Sequence, residues 1–61
     1  MITKCKNGNI VDRWYDRLTK SFVTAVKDCQ GNQVGDADYS GNKQCAAYAK
    51  AKMIKDNEGT A

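Results

Sequence analysis

The order of apolar and polar positions along the chain predicts several short β-strands followed by one helix. Ser21–Lys27 reads SFVTAVK, and this concentration of β-branched and aromatic residues predicts the central strand. Shorter runs of the same kind lie at residues 2–6, 9–15 and 33–39, with a polar loop at 16–20. Whether residues 2–6 pair with the next run decides between three strands and four.

Turn residues separate these runs. Asn7-Gly8 predicts a two-residue type I′ hairpin turn, which needs a positive φ at both central positions. Closing that turn sets Cys5 opposite Ile10. A second hairpin loop is expected at 28–32, where a glycine and the asparagine after it are free to adopt left-handed conformations.

Residues 43–55 are dense in good helix formers and predict a helix that begins after Ser40 or Asn42 as its N-cap. Helical spacing sorts its apolar residues into two stripes. The first is expected in the core and comprises Cys45, Ala46, Ala49 and Met53. The second needs another cover and comprises Ala47, Tyr48, Ala51 and Ile54.

These elements predict an α+β fold, an antiparallel three- or four-stranded β-meander packed against one C-terminal α-helix in the order β-β-β-β-α. Residues 1–57 are expected to form a single domain and residues 58–61 a frayed C-terminal tail. A chain of 61 residues buries only about 60% of its unfolded surface, so a deep substrate cavity is hard to build.

Composition argues against catalysis. The chain has no His, which excludes a His base and the Ser-His and Cys-His nucleophile pairs. Asp36 and Asp38 lie two apart on one strand, where paired carboxylates serve acid–base chemistry or bind a metal. Charges in an edge strand more often block edge-to-edge pairing, and that is the role expected here. A non-enzymatic protein without a cofactor or metal is predicted.

The cysteines indicate a reducing compartment. Cys5, Cys29 and Cys45 are odd in number and lack the close C-x-x-C pairing of zinc sites, so three reduced thiols are expected. The start of the chain has no apolar signal segment, and no apolar run approaches the ~20 residues of a membrane span. A cytoplasmic protein without membrane contact is predicted, in the host cytoplasm if a bacteriophage encodes it.

Basic and aromatic residues of the second and third runs favour nucleic acid as the partner. The formal net charge is +3, which is compatible with a polyanion. The residues expected on phosphates are Arg13, Arg17, Lys20 and Lys27, with Trp14 and Tyr15 near bases. The alternative for Trp14 is core packing, and for the cations an ordinary solvated surface.

The segment from Arg13 to Lys55 also resembles a known kind of DNA-binding domain. An aromatic-led strand at residues 22–28, a strand at 31–35 that ends at Gly35, and an Ala-rich helix carrying Tyr48 at 45–49 follow one another. This order is similar to the three-stranded-sheet-plus-helix domains of tyrosine recombinases (the arm-binding domain) and plant ethylene-response factors. The resemblance implies that the sheet face enters the major groove of DNA.

A protein-binding role is the competing hypothesis. In size and style the chain resembles the small accessory proteins that bacteriophages encode, many of which bind and modulate one host protein. The second helix stripe, Ala47, Tyr48, Ala51 and Ile54, is expected to dock into a partner groove or form a homodimer. A strand edge at residues 34–39 or 2–6 offers pairing with a partner strand.

Overall fold

The computed structural model describes residues 2–61 and has the predicted order of elements. The elements are β1 (Ile2–Lys4), β2 (Ile10–Asp16), β3 (Ser21–Lys27), β4 (Gln33–Ser40) and α1 (Lys43–Asp56). Each strand pairs antiparallel with the next, in the sheet order β1-β2-β3-β4. The predicted α+β meander with one C-terminal helix is confirmed, with four strands.

In the loop between β1 and β2, Cys5 and Asn9 close a turn with three residues between them, so the predicted two-residue turn is wrong. The Cys5 N–H donates to Asn9 O at 2.9 Å, and the Gly8 N–H donates to Cys5 O at 3.1 Å. Only Gly8 has a positive φ, of 92°, which suits a type I turn followed by a left-handed glycine. The Asn7 Oδ1 accepts from the Asn9 N–H at 3.0 Å and stabilises this turn. The pairing shifts by one residue, and Lys4 takes the place predicted for Cys5.

The loop between β3 and β4 repeats the same construction. The Asp28 N–H donates to Asn32 O at 2.9 Å, and the Gly31 N–H donates to Asp28 O at 3.0 Å. Gly31 has a φ of 85°, whereas Asn32 keeps a negative φ, contrary to the left-handed conformation considered for it. The Asp28 Oδ1 also accepts the N–H groups of Gln30 and Asn32, each at 2.9 Å. An acidic side chain therefore fixes this loop from within.

The core lies between the sheet and α1. Cys5, Val11 and Val26 are buried together, and Met53 and Ile54 of the helix pack against them. The prediction that Met53 faces the core is confirmed. Ile54, assigned from sequence to the stripe that a partner would cover, is instead half-buried against this cluster, because a helix on a narrow sheet contacts it over more than one stripe.

Helix α1 is capped by Asn42, one of the two candidate N-caps. The Asn42 Oδ1 accepts the Cys45 N–H at 2.8 Å, which satisfies one of the free donors of the first turn. Ala46 in the next turn is fully buried. Cys45, predicted on the same core stripe, is exposed.

Among the side chains of residues 2–61, Thr24 carries the one buried nitrogen or oxygen atom without a hydrogen-bond partner. Thr24 is fully buried, and its Oγ1 has no hydrogen-bond partner. Burying an unpaired hydroxyl costs about 1–3 kcal/mol, so we expect Thr24→Val, which keeps the side-chain shape, to raise the free energy of unfolding by about 1 kcal/mol. Urea denaturation measures this change. Thr19→Val, at an exposed loop position, serves as the control with little effect, and a loss of stability in Thr24→Val would contradict the unpaired state.

The segment after α1 is docked onto β1, although the sequence predicts a frayed tail at 58–61. The Gly59 N–H donates to Ile54 O at 2.8 Å and the Glu58 N–H to Lys55 O at 3.2 Å, the two bonds of a Schellman motif. Glu58 occupies the left-handed position of this motif, with a φ of 71°.

Beyond this helix end, the chain forms hydrogen bonds with β1 and the residues that follow it. The Lys6 N–H donates to Gly59 O and the Ala61 N–H to Lys4 O, each at 2.9 Å, and Cys5 forms a bridge with Thr60. These bonds cover part of the outer edge of β1.

Candidate nucleic-acid interface

The sheet register divides the six residues predicted to bind nucleic acid. Arg13 lies opposite Thr24, and Tyr15 lies opposite Phe22, on the face that α1 covers. Trp14 lies between them in the sequence and points to the other face, because successive side chains of a strand alternate. The structure therefore does not bring all six residues onto one basic sheet face.

The face of the sheet opposite α1 is apolar at its centre. Trp14, Val23 and Tyr39 form one row across β2, β3 and β4. Val23 is 1% exposed, whereas Trp14 is 40% and Tyr39 is 61% exposed. The two rings therefore flank a buried valine. Trp14 is a partly covered surface residue, which is intermediate between the two predictions made for it from the sequence, contact with bases and packing in the core.

Charges on this open face are balanced in sign. The Lys27 Nζ lies 5.2 Å from the centre of the Trp14 ring and 3.6 Å from the Asp12 Oδ2. The remaining charged residues that the strand register places on this face are Lys4 and Asp16. With two cations beside two carboxylates, this face has no excess of positive charge for phosphate, which leaves Trp14 and Lys27 outside the candidate interface.

The loop between β2 and β3 presents two exposed cations, Arg17 and Lys20. The Asp16 Oδ1 accepts the Leu18 N–H at 2.9 Å, so this nearby carboxylate is engaged in holding the turn. Lys20 has a φ of 53°, and Leu18 between the two cations is 95% exposed. The loop is thus a formed turn that projects cations and one apolar side chain.

Tyr15 lies beside this loop and is fixed by an aromatic contact. Its ring centre is 5.1 Å from that of Phe22, with an angle of 68° between the ring planes. Such an edge-to-face pair stabilises the orientation of both rings. Phe22 is half-buried, while Tyr15 is 51% exposed and presents a held aromatic surface.

We define the hairpin-end cluster as Arg13, Tyr15, Arg17 and Lys20. Arg13 and Tyr15 share one face of β2, and the other two follow in the loop that closes the same hairpin. The cluster therefore unites four of the six residues predicted from sequence. The prediction did not include the alternation of side chains along β2, which places Trp14 on the opposite face of the sheet from Arg13 and Tyr15.

The helix residues proposed for protein binding lie elsewhere. Ala47, Tyr48 and Ala51 are exposed, with Tyr48 at 76%. An open groove of about 760 Å³ lies between β4 and α1, and Tyr48 lines it. Sequence reasoning did not predict this groove, since no pattern indicates how closely a helix follows an edge strand.

The thiols are separate from one another. Cys5 is buried, whereas Cys29 and Cys45 are exposed, and all three are free. Within residues 2–61 no three Cys, Asp or Glu side chains are grouped in a way that would hold a metal ion. In the same part of the chain, no helix combines the length and apolar character needed to cross a bilayer.

No family model matches the chain, and no curated protein or solved structure matches it either. The resemblance to recombinase and ethylene-response-factor domains therefore stays a prediction.

Proposed function

We propose that this protein binds nucleic acid through the hairpin-end cluster. The observation that carries the proposal is the β2–β3 register, which places Arg13 and Tyr15 on one face at the end where Arg17 and Lys20 project. Cations at such a position contact phosphates, and they supply most of the affinity of a non-specific complex. A two-stranded ribbon also fits the width of a duplex major groove.

The neighbouring groups support this use of the hairpin. The Asp16 Oδ1 accepts a backbone N–H of the loop, which stabilises the turn that carries Arg17 and Lys20. The Tyr15 ring is held by Phe22 and retains half its exposure, which suits contact with a sugar or base. With a net charge of +3, the protein is expected to bind modestly. We place this activity in the cytoplasm, where free thiols such as Cys29 persist.

Salt dependence and two variants test this proposal by fluorescence anisotropy of labelled duplex and single-stranded oligonucleotides. Three phosphate contacts weaken binding about 40-fold between ~50 and ~200 mM salt, and one contact only about threefold. We therefore expect the loss of affinity over this salt range to be about 40-fold for the natural sequence and about threefold for the double variant Arg17→Gln, Lys20→Gln.

The matched control is Lys4→Gln with Lys55→Gln, which removes the same charge far from the hairpin end. This control is expected to retain the salt dependence of the natural sequence. If both double variants lose binding equally, only overall charge matters and the assignment to the hairpin-end cluster is wrong. Absence of binding to either oligonucleotide at low salt would reject the function itself.

A further inference from the structure

The outer edge of β4 is the longer open edge of the sheet. At the other edge, Lys4 at the end of β1 and the two residues that follow it are paired with residues 59–61. On β4, a bulge interrupts pairing: Gly35, Asp36 and Ala37 lie opposite the single residue Ala25. Gly35 has a φ of 74°, which a side chain would strain. Pairing with β3 is regular again from Asp38 to Ser40, so that stretch has an edge in strand geometry.

The groove described above lies directly beside this edge. A strand added to β4 would continue the sheet, and every second side chain of that strand would point toward the β4 side of α1. That side of the groove is lined by apolar or weakly polar groups, Cys45, Tyr48, Ala49 and Met53. These four residues thus give the groove an apolar floor for side chains of an added segment.

The rim of the groove is acidic. Asp36, Asp38 and Asp56 line it together with one cation, Lys52. Asp36 and Asp56 are exposed, and the Asp38 Oδ2 accepts the Ser40 hydroxyl at 2.7 Å. This rim carries the opposite sign to the net charge of the protein, which is +3. The carboxylates of the rim therefore favour a cationic occupant of the groove and disfavour a nucleic acid in it.

We propose that the β4–α1 groove binds an extended, basic segment of a partner protein by strand addition to β4. The backbone of the segment pairs with the open edge at residues 38–40, and its groove-facing side chains are apolar at the centre of the groove and Lys or Arg where they meet Asp36 and Asp56. A second copy of this chain fits less well, since its own β4 would bring carboxylates against carboxylates. This surface is separate from the hairpin-end cluster and does not rest on the proposed nucleic-acid function.

The test uses the full chain, ¹⁵N-labelled, and a short capped Lys-Val peptide whose groove-facing positions are Val at the centre and Lys at the ends, with Ser at the positions between them. We expect its titration to shift the amide signals of residues 36–40 and of the groove side of α1. The same peptide with Glu in place of Lys is expected to cause no shift. N-methylation of the edge of the Lys-Val peptide that would pair is expected to abolish binding, because it removes the backbone donors.

Two matched variants test whether the carboxylates of the rim attract the peptide. Asp56→Lys reverses a carboxylate on the rim, whereas Glu58→Lys makes the same change two residues later, outside the groove. We expect Asp56→Lys to weaken peptide binding about fivefold and Glu58→Lys by less than about twofold. The dispersed spectrum of each variant shows that it is folded.

Equal binding of the Lys and Glu peptides, equal effects of the two variants, or shifts confined to the opposite sheet face would overturn the proposal. So would the absence of any shift at millimolar peptide. The double variant Arg17→Gln, Lys20→Gln is expected to bind the peptide normally, so failure of the nucleic-acid proposal is distinguishable from failure of this one.

Discussion

Replacing Val11 by Ala is expected to remove about half of the stability of this domain. Val11 is fully buried and belongs to the cluster with Cys5 and Val26 that Met53 and Ile54 cover. Loss of two methyl groups and the resulting cavity cost about 2 kcal/mol. A single core in a chain of this size supplies only about 3–5 kcal/mol.

Urea denaturation followed by circular dichroism measures this effect as a lower midpoint with an unchanged m-value. Val34→Ala is the matched control, because Val34 is 45% exposed on the neighbouring strand β4 and its truncation leaves no closed cavity. Equal losses in the two variants would show that the sheet–helix cluster is not the main source of stability.

The second large effect is expected for Asn57→Ala. The Asn57 Oδ1 accepts from the Asn7 Nδ2 at 2.8 Å and from the Asn9 Nδ2 at 3.0 Å, and its own Nδ2 donates to Met53 O at 2.7 Å. One side chain therefore joins the end of α1 to the β1–β2 loop. Removing it breaks three hydrogen bonds, two of them partly buried, and costs about 2 kcal/mol.

Thiol reactivity reports this loss directly. Cys29 and Cys45 are exposed, so two thiols are expected to react rapidly with a disulfide reagent, while Cys5, at 3% exposure, is protected. In Asn57→Ala the Cys5 thiol is expected to react several-fold faster, because local opening of the docked tail uncovers it. Asn32→Ala, in the other hairpin loop, is expected to leave Cys5 protected. Unchanged Cys5 protection in Asn57→Ala would contradict the joining role of Asn57.

The elements themselves were largely predictable from the sequence. The strand predicted at residues 21–27 has the same bounds in the structure, and α1 ends one residue beyond the prediction, because local composition dominates both. The inward face of β3 was not predictable. Thr24 and Val26 are buried on the helix side, and Val23 and Ala25 are buried on the other. Because both sides of β3 are buried, its sequence has no alternation of apolar and polar residues that would indicate which side packs against α1.

The candidate site was predictable only in part, for reasons of register. Arg13, Trp14 and Tyr15 are adjacent in sequence, and strand geometry alone places the middle residue opposite the other two. Which side receives α1 depends on loop lengths, and the Asn7-Gly8 pair fits a turn one residue longer than predicted. The docking of residues 58–61 follows from the contacts of Asn57 with Asn7 and Asn9, some fifty positions away, and from backbone bonds to Lys4 and Lys6, for which the tail sequence has no signal.

The short segment that lies along β1 has a consequence for stoichiometry. Each added strand normally offers a fresh edge, which is how sheets of separate molecules grow into filaments. Here residues 59–61 occupy part of one side, and β4 leaves the other side free. The β4 edge of one copy therefore cannot pair along the whole of β1 in the next copy, which disfavours open-ended stacking and favours a small, fixed number of chains in each assembly.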